Sequence, residues 1–163
     1  MIRFSNRDIF NVLETSPSYC LPNEIVDTDV NLFNKTLFWL LDSLRKNVTA
    51  SGNDQLKFAT GAVNFTDSFS NEQRIYGLMQ CTPDLSKSDC YDCLGDVMHN
   101  VGSCSSGKIG GQLNLPSCNV IYEQYPFVQS YNSPPPASVA ISSSPSESST
   151  SPSSKTGSSI DTD

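Results

Sequence analysis

Six cysteines carry most of the chemistry this sequence can offer: Cys20, Cys81, Cys90, Cys93, Cys104 and Cys118. An even set confined to one stretch of a chain is the pattern of a disulfide framework, and six cysteines allow fifteen connectivities. The densest cluster is Cys81-x8-Cys90-x2-Cys93, in the string CTPDLSKSDCYDCL. A Cys81–Cys90 bridge would pin the end of a strand to the start of a helix across a short loop. Cys93, on nearly the same helix face, could then reach a second element such as a strand beginning at Cys118. Zinc is the competing chemistry, with Cys90, Cys93, Cys104 and Cys118 as four thiolates. It fits poorly, because zinc ribbons pair two short knuckles, and Cys20 and Cys81 would be left over. A Cys-x2-Cys redox centre fits no better, since Cys81 is placed to occupy one of the pair. No metal and no cofactor is expected.

Catalysis has few other carriers. His99 is the only histidine, and any Cys/His or Ser/His/Asp mechanism would need it as the base. It falls near the end of a predicted helix, where a cationic side chain suits the helix dipole, so it reads as a solvated helix-end residue. Asp27, Asp29, Asp84 and Asp89 read as turn and cap residues. With no glycine-rich phosphate loop and no acidic metal cluster, no catalytic residue is expected and the chain reads as a non-enzyme. Three sequons, at Asn34, Asn47 and Asn64, agree with the cysteines on an extracellular setting. The net charge of −7 argues against nucleic acid and against docking on an anionic membrane surface.

The elements that must position these residues follow from periodicity. Residues 2–13 carry Ile2, Phe4, Ile9, Phe10 and Val12 and read as a strand, a turn and a second extended piece, broken at Ser16-Pro17-Ser18. From Val30 to Ser51, apolar residues at 30, 33, 37, 40/41, 44 and 48 predict a helix, with Asp29 as N-cap and Gly52 as C-cap. Phe38 and Trp39 widen its apolar face and are expected to join Phe33 in the core. Residues 56–60 and 74–81 read as strands around the loop VNFTDSFSNEQ. A second helix begins near Ser86, with Asp89 in a capping-box arrangement. It turns Cys90, Cys93, Leu94, Val97 and Val101 inward and stops at Gly102. Strands over 112–115 and 118–125 close the domain, giving two helices on an antiparallel sheet, an α+β class.

The remainder, from Asn132, is nearly all Ser, Pro, Thr and small residues. Such a segment has no apolar face to offset the entropy of ordering, so 131–163 is expected to be a disordered stalk. MIRFSNRDIFNV lacks the apolar run of a signal peptide, and no stretch reaches the ~18–20 apolar residues of a membrane span. The chain is therefore expected to be part of a longer secreted or membrane-anchored protein.

The Cys-x8-Cys-x2-Cys string resembles the signature of the ginkbilobin-homologous domain, also called the stress-antifungal domain or domain of unknown function 26. The likeness extends over about residues 15–128. FNKTLFWLLDSL is similar to the family's first helix, KFATG and IYGLMQC to its strands, and GKIGGQLNLPSCNVIYEQYPF to its closing hairpin. The family occurs in plant cysteine-rich receptor-like kinases, plasmodesmata-located proteins and small secreted proteins. Residues 1–14 resemble the end of a preceding tandem domain, and the Ser/Pro tail resembles the stalk after a second one. The divisions implied are therefore 1–14, a domain over 15–130, and 131–163.

The resemblance implies two helices on a five-stranded antiparallel sheet and the pairs Cys20–Cys104, Cys81–Cys90 and Cys93–Cys118. It also implies a place to look for sugar binding, because the family's antifungal seed protein holds mannose with an Asn, an Arg and a Glu. The matching positions here are Leu21, Gln112 and Glu123, so only the carboxylate is kept. Losing the cationic bidentate donor is not a small change. The function implied is a non-catalytic recognition module at the plant cell surface, in the apoplast, acting in stress or defence signalling. Its partner would be a protein, a cell-wall glycan or the adjacent tandem domain. The alternatives are a free mannose-binding lectin and a purely structural tandem-assembly module.

Overall fold

The computed structural model describes residues 4–24, 29–50, 57–67 and 69–128. The expected roles of Asp27, Ser51, Gly52 and Leu56, and the tail over 131–163, lie outside these residues.

Helix α1, Val30–Ala50, forms where the apolar spacing predicts it, burying Phe33, Leu37, Leu40, Leu41, Leu44 and Val48. Asp29 caps it, its carboxylate accepting from the backbone N–H groups of Asn31 and Leu32 at 3.0 and 3.1 Å. Helix α2, Lys87–Cys104, starts at Ser86, whose hydroxyl accepts from the Asp89 N–H at 3.0 Å and donates to the Asp89 carboxylate at 2.7 Å. Gly102 does not stop it. The glycine instead admits the Phe38 ring, which a Cβ there would meet at 3.3 Å, and the helix runs on to a cap at Ser105.

The five strands are β1 Tyr19–Pro22, β2 Phe58–Thr66, β3 Glu72–Cys81, β4 Gly111–Asn114 and β5 Cys118–Glu123. Their order is β1-β4-β5-β3-β2, every pair antiparallel. Both helices pack on one face, as an α+β layering of this kind requires. The five-strand count agrees with expectation, but one strand is elsewhere. Described residues 4–13 form no strand, and Phe4 and Phe10 are 92% and 69% exposed. The edge is supplied by β1, which pairs with β4 in the register Cys20↔Leu113 and Leu21↔Gln112. The β2–β3 hairpin is also longer than its sequence suggests. Ladder pairing continues through Phe65↔Gln73 and Thr66↔Glu72.

Three disulfides join Cys20 to Cys104, Cys81 to Cys90 and Cys93 to Cys118. The four cysteines of the last two are at most 2% exposed and sit inside the core between α2, β3 and β5. Tyr122 is fully buried under Phe33, and its hydroxyl donates to the Ser105 carbonyl at 3.1 Å. Burial pushes its phenol pKa up.

Two contacts generate predictions. Gly61 and Gly77 face each other on β2 and β3 beneath α1. A Cβ at Gly77 would lie 3.0 Å from Leu44 and 3.2 Å from Leu40. Gly77→Val is expected to overpack this seam and cost about 1–3 kcal/mol, read as a lowered denaturant midpoint. Asp67 organises the β2–β3 turn. It accepts from the backbone N–H of Asn71 at 2.8 Å and of Phe69 at 2.9 Å, and from the Asn71 amide at 3.1 Å. The Asn71 backbone bond holds its carboxyl below the ordinary value against the opposing effect of burial, with the Asn71 amide and the Phe69 N–H adding to it. Its contribution is therefore whole above the ordinary carboxylate pKa and is lost as pH falls through the lowered one. Urea midpoints measured against pH should flatten in that acidic window in Asp67→Asn.

Candidate functional face of the sheet

The side of the sheet away from the helices carries the positions at which a ligand was expected. Residues directly opposite on neighbouring antiparallel strands share a face, and Leu21, Gln112, Ile121, Leu78 and Thr60 form one such row across all five strands. Cys20 turns the other way, toward its disulfide in α2. Alternation then places Tyr19 and Leu21 outward, 64% and 61% exposed. The Cys20–Cys104 bridge thus determines which side of β1 meets solvent.

Glu123 closes β5 on the same outer face, opposite Tyr76. Its carboxylate lies over Gly110, where an added Cβ would overlap it, and accepts from the Asn23 amide at 3.2 Å. Asn23 was not among the residues predicted from sequence. It lies just beyond β1, two positions after Leu21, and the Asn23 N–H donates to the Gly110 carbonyl at 2.9 Å, which extends the β1–β4 pairing. The only signal that could have found it is alternation from Leu21, and that required knowing that 19–22 is a strand.

Of the three expected ligand positions, Leu21 and Gln112 are therefore adjacent, with Glu123 at the neighbouring strand end. They do not converge as free polar groups. The Gln112 amide donates to the Asn114 side-chain oxygen at 2.9 Å, Glu123 is engaged by Asn23, and Leu21 is apolar. Among the described strand residues, this face carries a cation only further along β3, where the Arg74 guanidinium lies 5.1 Å from the Tyr76 ring centroid. What the arrangement offers chemically is apolar and amide contact surface beside one carboxylate.

The other candidates fall elsewhere. His99 is exposed on α2, in the helix layer across the sheet from Glu123. The four cysteines of the zinc alternative are divided among the three disulfides, and among the described residues no His/Cys/Asp/Glu group has metal-site geometry. Trp39 corrects its expected place in the core. It is 65% exposed, because at ~100° per residue it falls on the side of α1 opposite Phe33, Leu37 and Leu44. Phe33 is core, and Phe38 is half-buried against Gly102. Asn47 and Asn64 are exposed, whereas Asn34 is half-buried. Among the described residues, no helix is long and apolar enough to cross a membrane.

Comparison with known proteins gives this arrangement a context. Residues 19–125 match the model of the salt stress response/antifungal family. Cysteine-rich receptor-like protein kinase 25 of Arabidopsis thaliana is 37% identical over 148 residues, covering 85% of this chain and 20% of that protein. Cysteine-rich repeat secretory protein 38 of the same plant is 34% identical over 129 residues, 79% of this chain and 49% of that protein. The chain thus spans about a fifth of the receptor kinases it matches and about half of the secretory proteins. Among solved structures, the tandem DUF26 ectodomain of the Arabidopsis thaliana cysteine-rich receptor-like protein PDLP5 shares the fold, with a TM-score of 0.54 at 21% identity over 74% of this chain and 50% of that one. The equivalent ectodomain of PDLP8 gives 0.51 at 25% identity over 68% and 48%. With its cysteine triad, its sheet order and these matches in agreement, the chain belongs to the salt stress response/antifungal (DUF26) family, whose members here include receptor-like kinases and secreted cysteine-rich repeat proteins.

Proposed function

We propose that this domain is the second of a tandem pair in the ectodomain of a plant cell-surface receptor. It acts in stress or defence signalling by contact rather than by catalysis. The observation that carries the reading is the uncovered sheet face, where Leu21 stands exposed in the row that runs through Gln112 to Ile121 and Leu78, with exposed Tyr19 two positions before it on the same strand. The polar groups beside them are already bonded to one another. A face of that kind suits a protein surface, because exposed apolar side chains such as Tyr19 and Leu21 are stabilised by being covered. The half-length matches to tandem ectodomains support a neighbour of the same fold. Any kinase activity would belong to a part of the parent protein outside this chain.

A sugar-binding reading is kept alive by one contact, the convergence of Asn23 on the Glu123 carboxylate. It lacks the cationic donor, since Gln112 stands where the resemblance places an arginine.

The two readings separate experimentally. On a glycan array the oxidised domain is expected to give no signal on mannose-type sugars; specific mannose binding abolished by Glu123→Gln would instead establish the lectin reading. The preceding domain, recovered from the flanking genomic sequence, is expected to bind this one in titration calorimetry. Tyr19→Asp with Leu21→Asp should weaken that binding by about tenfold or more, equivalent to ~1.4 kcal/mol. Unchanged affinity would move the contact off this face.

A further inference from the structure

We infer that this domain carries N-linked sugar at Asn47 and Asn64 but not at Asn34, and that both sugars stand on the β2 flank. The inference rests on the extracellular reading above. The three sequons are alike in sequence, and the fold separates them. Asn47 and Asn64 are exposed, and no hydrogen bond of either side chain appears among the described contacts. Asn34 is a structural amide. Its Nδ2 donates to the Ser106 hydroxyl at 3.1 Å, and its Oδ1 accepts from the Gly107 N–H at 3.4 Å. That pair of bonds ties α1 to the turn directly after Cys104, where Gly107 has φ +71° and a Cβ would meet Val30 at 3.3 Å.

The modification is a group transfer to the nascent chain. The side-chain amide nitrogen attacks the anomeric carbon of an oligosaccharide carried on a lipid pyrophosphate. The N–C bond forms, the C–O bond to pyrophosphate breaks, the amide nitrogen loses one proton to a base of the transferase, and the lipid pyrophosphate leaves. A chain so modified must then fold with the sugar outside. At Asn47 and Asn64 it can. At Asn34 the sugar would occupy the place of Ser106 and hold α1 away from the turn that the Cys20–Cys104 disulfide anchors, so sugared chains would fail to reach the folded, secreted pool.

Both accepted positions lie on the same side. One flank of α1 meets α2 and its following turn through Asn34, through Phe38 against Gly102, and through Arg45, whose Nε donates to the Tyr91 carbonyl at 2.9 Å. Asn47 follows Arg45 by two residues, roughly 200° around the helix, on the flank turned away from α2. Asn64 lies on β2, an edge strand paired only with β3, opposite Arg74. It alternates with the buried Phe65 and so points to the uncovered face. A sugar there shields the exposed backbone edge of β2 from pairing with another chain. The β1–β4 edge, with Tyr19, Leu21 and Glu123, stays bare.

The test is to secrete the chain from insect or plant cells behind an added leader. The oxidised monomer is then treated with peptide N-glycosidase in 18O-water, and the label is located by peptide mass mapping. Because the leader is supplied, the outcome does not depend on the native compartment. Label is expected at Asn47 and Asn64 in most molecules and at background at Asn34. Asn47→Gln and Asn64→Gln should each lower the apparent mass by one glycan, whereas Asn34→Gln should leave it unchanged and reduce the yield of folded protein. Comparable label at Asn34 in the folded monomer, or its absence from either Asn47 or Asn64, would overturn the assignment.

Discussion

The fold depends on one constraint, the double pinning of α2 to the two central strands. Cys81 ends β3 and bonds Cys90 in the first turn of α2, so the chain must reverse within nine positions. One helical turn later Cys93 bonds Cys118, the first residue of β5 and the cross-strand partner of Cys81. These two bridges fix both the direction and the height of α2 over the sheet. A chain-entropy estimate assigns them about 2.6 and 3.5 kcal/mol, comparable to a large part of a small domain's stability. The rest of the core is built around that fixture. α1 packs closely against β2 and β3 where Gly61 and Gly77 leave room for Leu40 and Leu44.

The third bridge differs in kind. Cys20 is only partly buried, and β1 is a four-residue edge strand whose remaining residues are exposed. Cys20–Cys104 therefore adds little to the core and instead orients an edge. Its 84-residue loop is the longest of the three, so by the same estimate it restricts the unfolded chain most, by about 4.6 kcal/mol. The consequence for function is that β1 presents Tyr19 and Leu21 on a rigid ladder rather than on a mobile terminus. Recognition surfaces need such support, because side chains ordered beforehand lose less entropy when a partner arrives. The domain is two-sided as a result. One face is closed by helices and disulfides, and the other is flat, partly apolar and open.

Much of this was legible in the residues. The buried stripe of α1, the caps at Asp29 and Ser86, and the inward set Cys90, Cys93, Leu94, Val97 and Val101 all follow from 3.6-residue periodicity and cap chemistry. The misreadings have physical causes. β1 was invisible because YCLP places one apolar residue inward and ends on proline, which leaves no alternation to detect. Residues 2–13 looked like a strand because Phe4 and Phe10 are large and apolar, although nothing in the fold covers them. The ends of β2 and β3 were hidden by Asn64, Thr66 and Glu72, polar residues that suit both an outward strand position and a loop. Gly102 looked like a helix stop, but the helix runs on past it and the Phe38 ring packs over the space a Cβ would fill. At the candidate face, Leu21, Gln112 and Glu123 could be placed by motif. Asn23 emerged only once the register of β1 was known.

The bridges divide the labour: two make the core and the third holds the recognition edge. Amide hydrogen exchange on the Cys20→Ser/Cys104→Ser double variant tests this division most directly. Losing this long-loop bridge lowers global stability, so the slowest amides of β2, β3, β5 and the middle of α1 are expected to speed together by one common factor, while protection across 19–22 and 111–114 falls further than that. An equal loss at β1, β4 and the core strands, with no extra loss at 19–22 and 111–114, would contradict this division.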